Sequence, residues 1–301
     1  MAGVINTGSF PKALWPGIYS WWGLNYKEHD GQYRDLFDVT SSDKSYEEVV
    51  EGLGMGLAPR KEEGTATQYD DMQQGIVNRW TNISYALGFA ITREEMDDNQ
   101  YEKLVMDRTA RLAFSMRTTR ETVGANFYNN AFSTTFGDGV SLVSTAHVTK
   151  DGTQSNRLAT DADLSETSLE DLAIQIRKAT DSAGLKVNMT PRSLHVAPDN
   201  EFNALRILKS TLQNDTANNA INALAATGYF SGGCKVNSYF TDADAWFVRT
   251  DIPNGMTWFD RVATEFSDDN DFDTENMKYK AYMRFVPGFQ DWRGVYGTSG
   301  A

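Results

Sequence analysis

The chain has 301 residues, a hydrophobic fraction of 40% and a formal net charge of -13 at pH 7. This length allows one elaborate domain or two, each with a sizeable core, and the acidic balance argues against a protein whose role is to grip nucleic-acid phosphates. The single cysteine, Cys234, excludes an internal disulfide framework and is expected to be a small buried residue. The sequence contains no apolar run of about 18 residues and no signal-peptide pattern, so we expect no membrane span and a cytoplasmic location.

Residues 1–45 are predicted to be irregular, because prolines and glycines interrupt a series of aromatic residues. Such a segment has few ways to build its own core, so its aromatic side chains are expected to pack on another surface. Two interpretations stay equally open: the segment lies across its own domain, or it is an arm that lies on a neighbouring subunit. The aromatic residues are Phe10, Trp15, Trp21, Trp22, Tyr26 and Tyr33.

Residues 46–74 and the strand pattern of residues 75–91 together predict a long two-stranded ribbon with a polar tip near residues 59–66. Isolated ribbons are marginal in water and usually rest on another surface. The glycines at positions 52, 54 and 56 do not make a phosphate-binding loop, because no helix follows them and the third glycine is misplaced.

The strand pattern runs without a break into a helix pattern. Over residues 83–91 every second residue is large and apolar, which predicts one packed face and one face of small side chains. Thr92 and Glu95 form a capping box that opens a helix, and acidic residues precede basic ones along it, in the order that the helix dipole favours. A helix over residues 93–130 would be roughly 55 Å long at about 1.5 Å per residue, which exceeds what a compact domain of this size needs.

Beyond the loop-rich residues 131–165, an α/β rhythm predicts a second domain. A capping box at residues 167–170 is expected to open a helix that Gly184 ends. Asp199 is expected to cap a helix that carries the apolar residues at 202, 205 and 208. Further predictions are a helix at about 217–226 that stops at Gly228, and strands at 193–197, 235–240, 245–249, 257–266, 278–286 and 292–296.

One acidic cluster partly matches a calcium loop. Asp269, Asp271 and Asp273 stand at the first three acidic positions, but Thr274 occupies the position that needs glycine and Lys280 the position of the bidentate glutamate. A solvated turn is therefore expected, with a weak cation site as the alternative.

Motifs for catalysis are absent from the sequence. His29, His147 and His195 are far apart and have no metal-ligand spacing, and His195 is expected to be a core histidine of a strand. Asp70 and Asp71 are adjacent, so on a strand they would point to opposite faces. No nucleophile elbow or triad can be identified. We predict no enzyme activity, no cofactor and no metal.

The predicted order of elements is an aromatic arm, a ribbon, one long helix, an α/β domain and closing strands. Four local segments carry further similarity: Tyr46-Glu47-Glu48, Gly75-Ile76-Val77, Ala90-Ile91-Thr92-Arg93-Glu94 and the run from Phe285 to Gly297. The order of the predicted elements and these local segments together resemble the major capsid proteins of tailed bacteriophages, which have the α+β Hong Kong ninety-seven fold. The local segments are most similar to those of the Mu-like major head subunits.

The resemblance implies a domain organisation and a function. The chain would self-assemble through hexamers and pentamers into an icosahedral shell that encloses double-stranded DNA. The implied segments are an N-arm (1–45), an extended loop or E-loop (46–92), the spine helix of a P-domain (93–135), an A-domain (136–255) and closing P-domain strands (256–301). The chain would be part of the virion, and its shell would assemble in the bacterial cytoplasm without a membrane.

The resemblance also implies partners. A separate scaffolding protein is expected, because the chain reaches its arm and ribbon within about 45 residues, where some family members carry a long scaffolding extension. A portal protein and a possible decoration protein are the other implied partners. Lys61 lies where some members form an isopeptide cross-link, but no matching asparagine or glutamate can be identified, so we predict no cross-linking.

Two groups of residues are expected to contact neighbouring subunits. Tip residues of mixed charge would form salt bridges, and aromatic residues of the arm would be buried against adjacent chains. The predicted contacts are Pro59, Arg60, Lys61, Glu62 and Glu63 at the tip, and Trp15, Trp21, Trp22 and Tyr26 in the arm.

Two alternative functions stay open. A bacterial nanocompartment shell has the same fold and would enclose an enzyme cargo in place of DNA. An acidic soluble enzyme that acts on glycans through the tryptophan-rich surface belongs to another class, and it would form only small oligomers.

Overall fold

The structure, a computed structural model, describes residues 10–27, 30–71, 73–97, 101–213, 220–271 and 274–301. Two hydrophobic cores form around two four-stranded sheets, and a two-stranded ribbon joins the first of them. The helices are α1 (Phe10–Tyr26), α2 (Tyr33–Leu36), α3 (Arg93–Asp97), α4 (Tyr101–Asn129), α5 (Glu166–Lys178), α6 (Glu201–Lys209) and α7 (Ala223–Thr227). The strands are β1 (Asp38–Ser41), β2 (Tyr46–Leu53), β3 (Gln73–Thr81), β4 (Ile83–Ile91), β5 (His147–Thr149), β6 (Gly152–Gln154), β7 (Pro191–Val196), β8 (Cys234–Val236), β9 (Trp246–Thr250), β10 (Met256–Asn270), β11 (Met277–Phe289) and β12 (Val295–Thr298).

The first sheet has the order β1-β10-β11-β4. β1 runs parallel to β10, and the other pairs are antiparallel. Its core is aromatic: Trp258 and Phe285 are fully buried and stack with their ring centres 4.5 Å apart. No described helix has the length and apolar character to cross a membrane.

The long helix α4 packs on this sheet and has 29 residues, or roughly 44 Å at about 1.5 Å per residue. The predicted capping box is confirmed, because the Glu95 N–H lies 3.3 Å from Thr92 Oγ1 and the Thr92 N–H lies 3.4 Å from Glu95 Oε2. The cap opens α3, and the predicted continuity from α3 into α4 falls on residues 98–100, outside the described residues. The predicted end near residue 130 is confirmed.

The predicted single strand over residues 75–91 is wrong, because Asn82 divides it. The Asn82 amide donates to Ser42 Oγ (2.9 Å) and to the Lys44 carbonyl (3.0 Å), and Arg284 Nε donates to the Asn82 carbonyl. These bonds turn the chain out of the ribbon and into the first sheet. The ribbon therefore ends at Thr81, and β4 pairs with β11 in the first sheet.

The N-terminal segment is helical where an irregular arm was predicted. Ile18 and Trp22, one helical turn apart, are both buried, and α1 packs on α4. Pro11 falls in the first turn, where a missing N–H costs little. Packing of this aromatic face outweighs the poor helix propensity of Gly17 and Gly23.

The second sheet, with the order β12-β9-β7-β8, confirms the predicted α/β unit. Helix α5 buries Leu169, Leu172 and Ile176 in its core, as its period predicts. Its start differs from the prediction: Ser165 and Ser168 form the capping box, two residues before Thr167. The helix ends at Lys178 rather than at Gly184, since the following residues extend and Thr180 pairs with Lys186.

Helices α6 and α7 differ in detail from their predictions. A single 3₁₀ turn (Pro198–Asn200) precedes α6, and Asp199 does not cap the helix. Ala204 and Ile207 face the core, while Phe202 is 69% exposed. Helix α7 stops at Gly228 (φ of 60°), as predicted, but it starts only after Asn222, so the predicted residues 220–222 are not helical. The predicted residues 217–219 lie outside the described residues.

The closing strands serve both sheets. β10 and β11 pair antiparallel and extend beyond their predicted ranges. The predicted strand at 292–296 is a 3₁₀ turn (Trp292–Gly294) followed by β12, which pairs with β9. The C-terminus therefore returns to the second sheet and not to the first.

Charged side chains join the two sheets. Arg249 of β9 is buried and donates to Asp38 Oδ2 (2.8 Å) and to the Asp35 carbonyl (3.0 Å). Lys235 of β8 lies 3.0 Å from the Asp35 carboxylate. Helix α2 and the first residue of β1 are thereby bound to the second sheet.

Candidate assembly interface

The ribbon has two parts with different surroundings. Its shaft consists of β2 and β3, and its tip consists of residues 54–71, which form no strand. All the predicted contact residues of the tip are exposed, and within the described part of the chain none of their charges is paired. These residues are Pro59, Arg60, Lys61, Glu62 and Glu63.

The tip also exposes apolar side chains. Leu57 is 85% and Tyr69 95% exposed, fractions that are unusual for large apolar residues. Asp70 joins the two sides of the tip by accepting the Gly56 N–H (2.8 Å) and the Asp71 N–H (2.9 Å), and these two bonds lower its pKa. Asp70 therefore has a structural role in a surface that makes few other contacts with its own chain.

The β3 side of the shaft is packed on aromatic residues. Trp80 is buried, with its ring centre 5.1 Å from that of Phe289 and 5.5 Å from that of Phe136. Its Nε1–H donates to the Phe289 carbonyl (3.2 Å). Two residues before Trp80 on β3, Asn78 accepts the Gly137 N–H at its Oδ1 (2.9 Å).

The β2 side of the shaft meets a buried guanidinium. Arg293 lies 3.7 Å from Glu51 and 3.1 Å from Asp291, and also donates to the Thr180 carbonyl and to Gln154 Oε1. Burial raises the pKa of Glu51, and Arg293 opposes that shift. The shaft is thus fixed to its own chain on both edges.

Across the shaft, an ion pair stiffens the ribbon itself. Arg79 and Glu48 are register partners, and their side chains meet at 2.5 Å. The Arg79 guanidinium also lies 4.5 Å from the ring centre of Tyr46. Cross-strand pairs of this kind stabilise a two-stranded ribbon.

The predicted arm residues have different positions. Trp22 is buried, with its ring stacked 4.8 Å from Phe266, and the Tyr26 hydroxyl lies 2.7 Å from Thr264 Oγ1. For these two, the interpretation that the segment lies on its own domain describes the structure. Trp21 is 38% exposed, with its Nε1–H bonded to the Met106 carbonyl. Trp15 lies in α1.

The remaining residues considered from the sequence form no catalytic or metal-binding cluster among the described residues. His195 is buried with Nε2 2.8 Å from Ser193 Oγ, and burial lowers its pKa to about 3, so it is a neutral core residue. Cys234 is half-buried, and burial raises its thiol pKa to about 11. Asp271 pairs with Lys278, while Asp273 of the partial calcium loop lies outside the described residues. Among the described residues no group of three could hold a metal ion.

A buried polar cluster next to the shaft was not predicted from the sequence. Asp138, His147 and Asn156 converge there beside Trp292 and Arg293. The turn signal at Asp138-Gly139 marks one member. The others come together only in the fold, because Trp292 and Arg293 are more than 130 residues away from the rest.

A sequence profile of the family described as phage capsid protein matches residues 81–298, more than two thirds of the chain. The match begins at the last residue of β3 and covers α4, the second sheet and every strand of the first sheet except β1. Among curated proteins, no sequence matches the chain.

Solved structures share the fold over nearly the whole chain. The capsid of a native GTA particle aligns with a TM-score of 0.56 and 12% identity, over 91% of this chain and 92% of that one. The procapsid of bacteriophage JBD30 aligns with a TM-score of 0.51 and 12% identity, over 98% of this chain and 77% of that one. A virus-like particle from Pyrococcus furiosus aligns with a TM-score of 0.52 and 11% identity, over 93% of this chain and 97% of that one. The predicted Hong Kong ninety-seven fold is confirmed, whereas the Mu-like branch stays a prediction.

Proposed function

Because the chain belongs to the phage capsid protein family, we propose that the ribbon tip and helix α1 are the joints through which its copies build a phage head. The chain is a major capsid protein, a structural subunit that assembles with itself into a shell. We propose no catalytic role for it. In domain terms, we assign β2, β3 and the tip to the extended loop, and α4 with the first sheet to the P-domain.

The contrast within the ribbon is the observation that carries this proposal. A subunit joint needs a surface that is free to be buried by another chain and a support that fixes its direction. The tip supplies the free surface, with unpaired charges and exposed Leu57 and Tyr69. The shaft supplies the support, through Trp80 and Arg293.

The tip has the chemistry of a weak, specific contact. Arg60 and Lys61 stand next to Glu62 and Glu63, so a neighbouring surface of mixed charge can pair with all four. Apolar anchors such as Leu57 gain more from burial than the exposed ion pairs do. Each contact can be weak, because a shell repeats it many times.

Helix α1 supplies a second, smaller surface. Leu24 is 66% exposed beside the partly exposed Trp21. We propose that these two side chains contact an adjacent subunit, while Trp22 and Tyr26 hold the helix on its own chain. Of the predicted arm residues whose side chains the structure describes, Trp21 is then the one best placed to serve as an inter-subunit contact.

The other components of the head are proposed from family membership. They are hexamers and pentamers of this chain, a separate scaffolding protein, a portal protein, a possible decoration protein and an enclosed double-stranded DNA genome. The net charge of -13 suits an enclosing shell, because an acidic wall does not bind DNA strongly.

A nanocompartment shell is the second candidate. The structural similarity to the virus-like particle from Pyrococcus furiosus, over 93% of this chain, supports this second candidate. Nuclease-protected DNA in purified particles is the expected result for a phage head. A protein cargo without DNA would support the compartment instead.

Charge reversal at the tip tests the proposed joint. We expect Arg60→Glu with Lys61→Glu to lower the yield of closed shells, seen by electron microscopy, by roughly tenfold or more, because both cations lose their partners. The matched control is Lys178→Glu with Lys209→Glu, which makes the same charge change at exposed residues of helices α5 and α6. Equal shell yields from the two variants would refute the joint.

Deletion of residues 57–66 removes the tip outright. We expect a folded subunit that forms no closed shells, because the shaft and both cores keep their contacts. Circular dichroism and size-exclusion chromatography check the fold and the oligomeric state. Normal shells from this variant would refute the proposal.

A further inference from the structure

A tight turn at residues 136–140 lies beside the ribbon shaft. The turn is closed by the Phe136 N–H to the Val140 carbonyl (3.0 Å) and by the Gly139 N–H to the Phe136 carbonyl (2.9 Å). Its Gly137 N–H donates to Asn78 of β3, and a Cβ on Gly137 would lie 2.7 Å from the Val77 carbonyl oxygen. The direction of the shaft therefore depends on where this turn is held.

The turn is held by a buried histidine on its other side. His147 is 1% exposed, its Nδ1 lies 2.6 Å from Asp138 Oδ2, and its Nε2 lies 3.1 Å from Asn156 Oδ1. Its ring stacks on Trp292, with centres 4.0 Å apart and planes 7° apart. The second Asp138 oxygen accepts the Val140 N–H within the same turn.

The orientation of the Asn156 amide is fixed by its other bonds. Its nitrogen donates to the carbonyls of Leu142 (2.7 Å) and Val295 (2.9 Å), and its oxygen accepts the Ser144 N–H (2.8 Å). Both histidine nitrogens thus face acceptors: an amide oxygen, which cannot donate, and a carboxylate, which cannot donate while it is ionised. A neutral imidazole carries one proton and could satisfy only one of them.

We propose that His147 is held as a doubly protonated imidazolium, and that this cation is the positioning residue that fixes the turn and, through it, the ribbon shaft. The inference rests on the proposed function, because the direction of the shaft matters only if the tip is a joint. It adds a dependence on pH to that joint.

The charges around the ring favour the cation. Asp138 touches it directly, and Arg293 lies on the Trp292 ring, with its guanidinium carbon 4.3 Å from the ring centre. Asp291 and Glu51 both pair with Arg293. Three carboxylates therefore stand against one guanidinium around the buried imidazole.

The direction of the pH effect follows from the proton count. The ring keeps both of its hydrogen bonds only while both of its nitrogens carry protons. Both bonds are therefore present at low pH, and one of them is lost when a rise in pH removes a proton from the ring. Loss of the proton leaves one ring nitrogen facing an acceptor without a hydrogen between them, so the turn and the adjoining shaft loosen.

Nitrogen NMR of the full chain labelled with ¹⁵N-histidine tests the protonation state. The chain has three histidines, so a His147→Gln sample identifies the signals of His147. We expect both of its ring nitrogens to carry protons at pH 7.5, where a free histidine is mostly neutral. An unprotonated ring nitrogen at that pH overturns the proposal.

Hydrogen–deuterium exchange of the unassembled chain tests the positioning role. Protection of segments 73–81 and 136–147, corrected for the chemical exchange rate, is expected to fall roughly tenfold as the pH rises and the charged hydrogen bond is lost. His147→Gln and Asp138→Asn should have low protection at every pH. Asp151→Asn, the same change at an exposed carboxylate, should behave as the wild type.

The two experiments separate this inference from the proposed function. Exchange that does not depend on pH in the wild type overturns the positioning role, whatever the shells do. Failure of the tip charge reversal to reduce shell yield refutes the joint, whatever His147 does.

Discussion

The tip and the shaft belong to one ribbon and differ in almost every physical respect. Shaft residues such as Trp80 and Asn78 contact their own chain through side chains and backbone, whereas tip residues such as Tyr69 and Lys61 are exposed. Stability is therefore concentrated in the shaft, and the tip adds little of it. A subunit that must first fold and then bind its neighbours can separate the two tasks in this way.

The contrast leads to paired substitutions in which the same residue type, or a similar one, changes at a packed position and at the tip. Each pair tests whether packing inside the chain, and not residue identity, determines how much a substitution lowers the free energy of unfolding.

An aromatic pair should show the largest difference. Trp80→Ala removes a buried ring from between Phe136 and Phe289 together with a hydrogen bond, so we expect it to lower the free energy of unfolding by about 3–5 kcal/mol. Tyr69→Ala at the tip should change it by less than about 0.5 kcal/mol. Chemical denaturation measures both. A similar loss from the two variants would mean that the tip is packed on its own chain.

A pair of carboxylates tests the same contrast through pH. Glu121 on α4 accepts the Tyr33 N–H (2.8 Å), and burial raises its pKa to about 6 from the usual 4.5. The folded chain therefore holds an extra proton between these values, so this contribution to stability is complete below pH 4.5 and is lost as pH rises through about 6. The expected total is about 2 kcal/mol.

Glu121→Gln should remove this component from the unfolding free energy measured between pH 4 and 8. Glu63→Gln, at the exposed tip, is the matched control and should keep the wild-type pH profile. A wild-type profile in Glu121→Gln would show that another group produces the pH dependence.

Some local features of the fold could be predicted from the sequence, whereas features that depend on contacts between distant residues could not. The capping box at Thr92 and Glu95 was correct, because both partners lie within four residues of each other. The break at Asn82 was missed, since it depends on Ser42 and Arg284, which are far away along the chain.

The same limit applies to the first residues and to the candidate site. Helix α1 was predicted as irregular, because its stability comes from burial of Ile18 and Trp22 against other elements. The exposed tip charges were predicted correctly from their polarity and turn residues. The cluster around His147 could not be predicted, since Asn156 is oriented there by carbonyls from both ends of the chain.

A pair of threonines should show the smallest difference and still distinguish the two regions. Thr92→Ala removes the hydroxyl that accepts the Glu95 N–H at the start of α3, so we expect a loss of about 1 kcal/mol in the free energy of unfolding. Thr65→Ala removes the bond from its hydroxyl to the Glu62 carbonyl (2.8 Å) in the exposed tip, and water can replace that donor. We expect no measurable change in stability from it. If both variants lose the same amount, the tip turn contributes to folding as much as the helix cap does, and the tip is not a surface reserved for a neighbour.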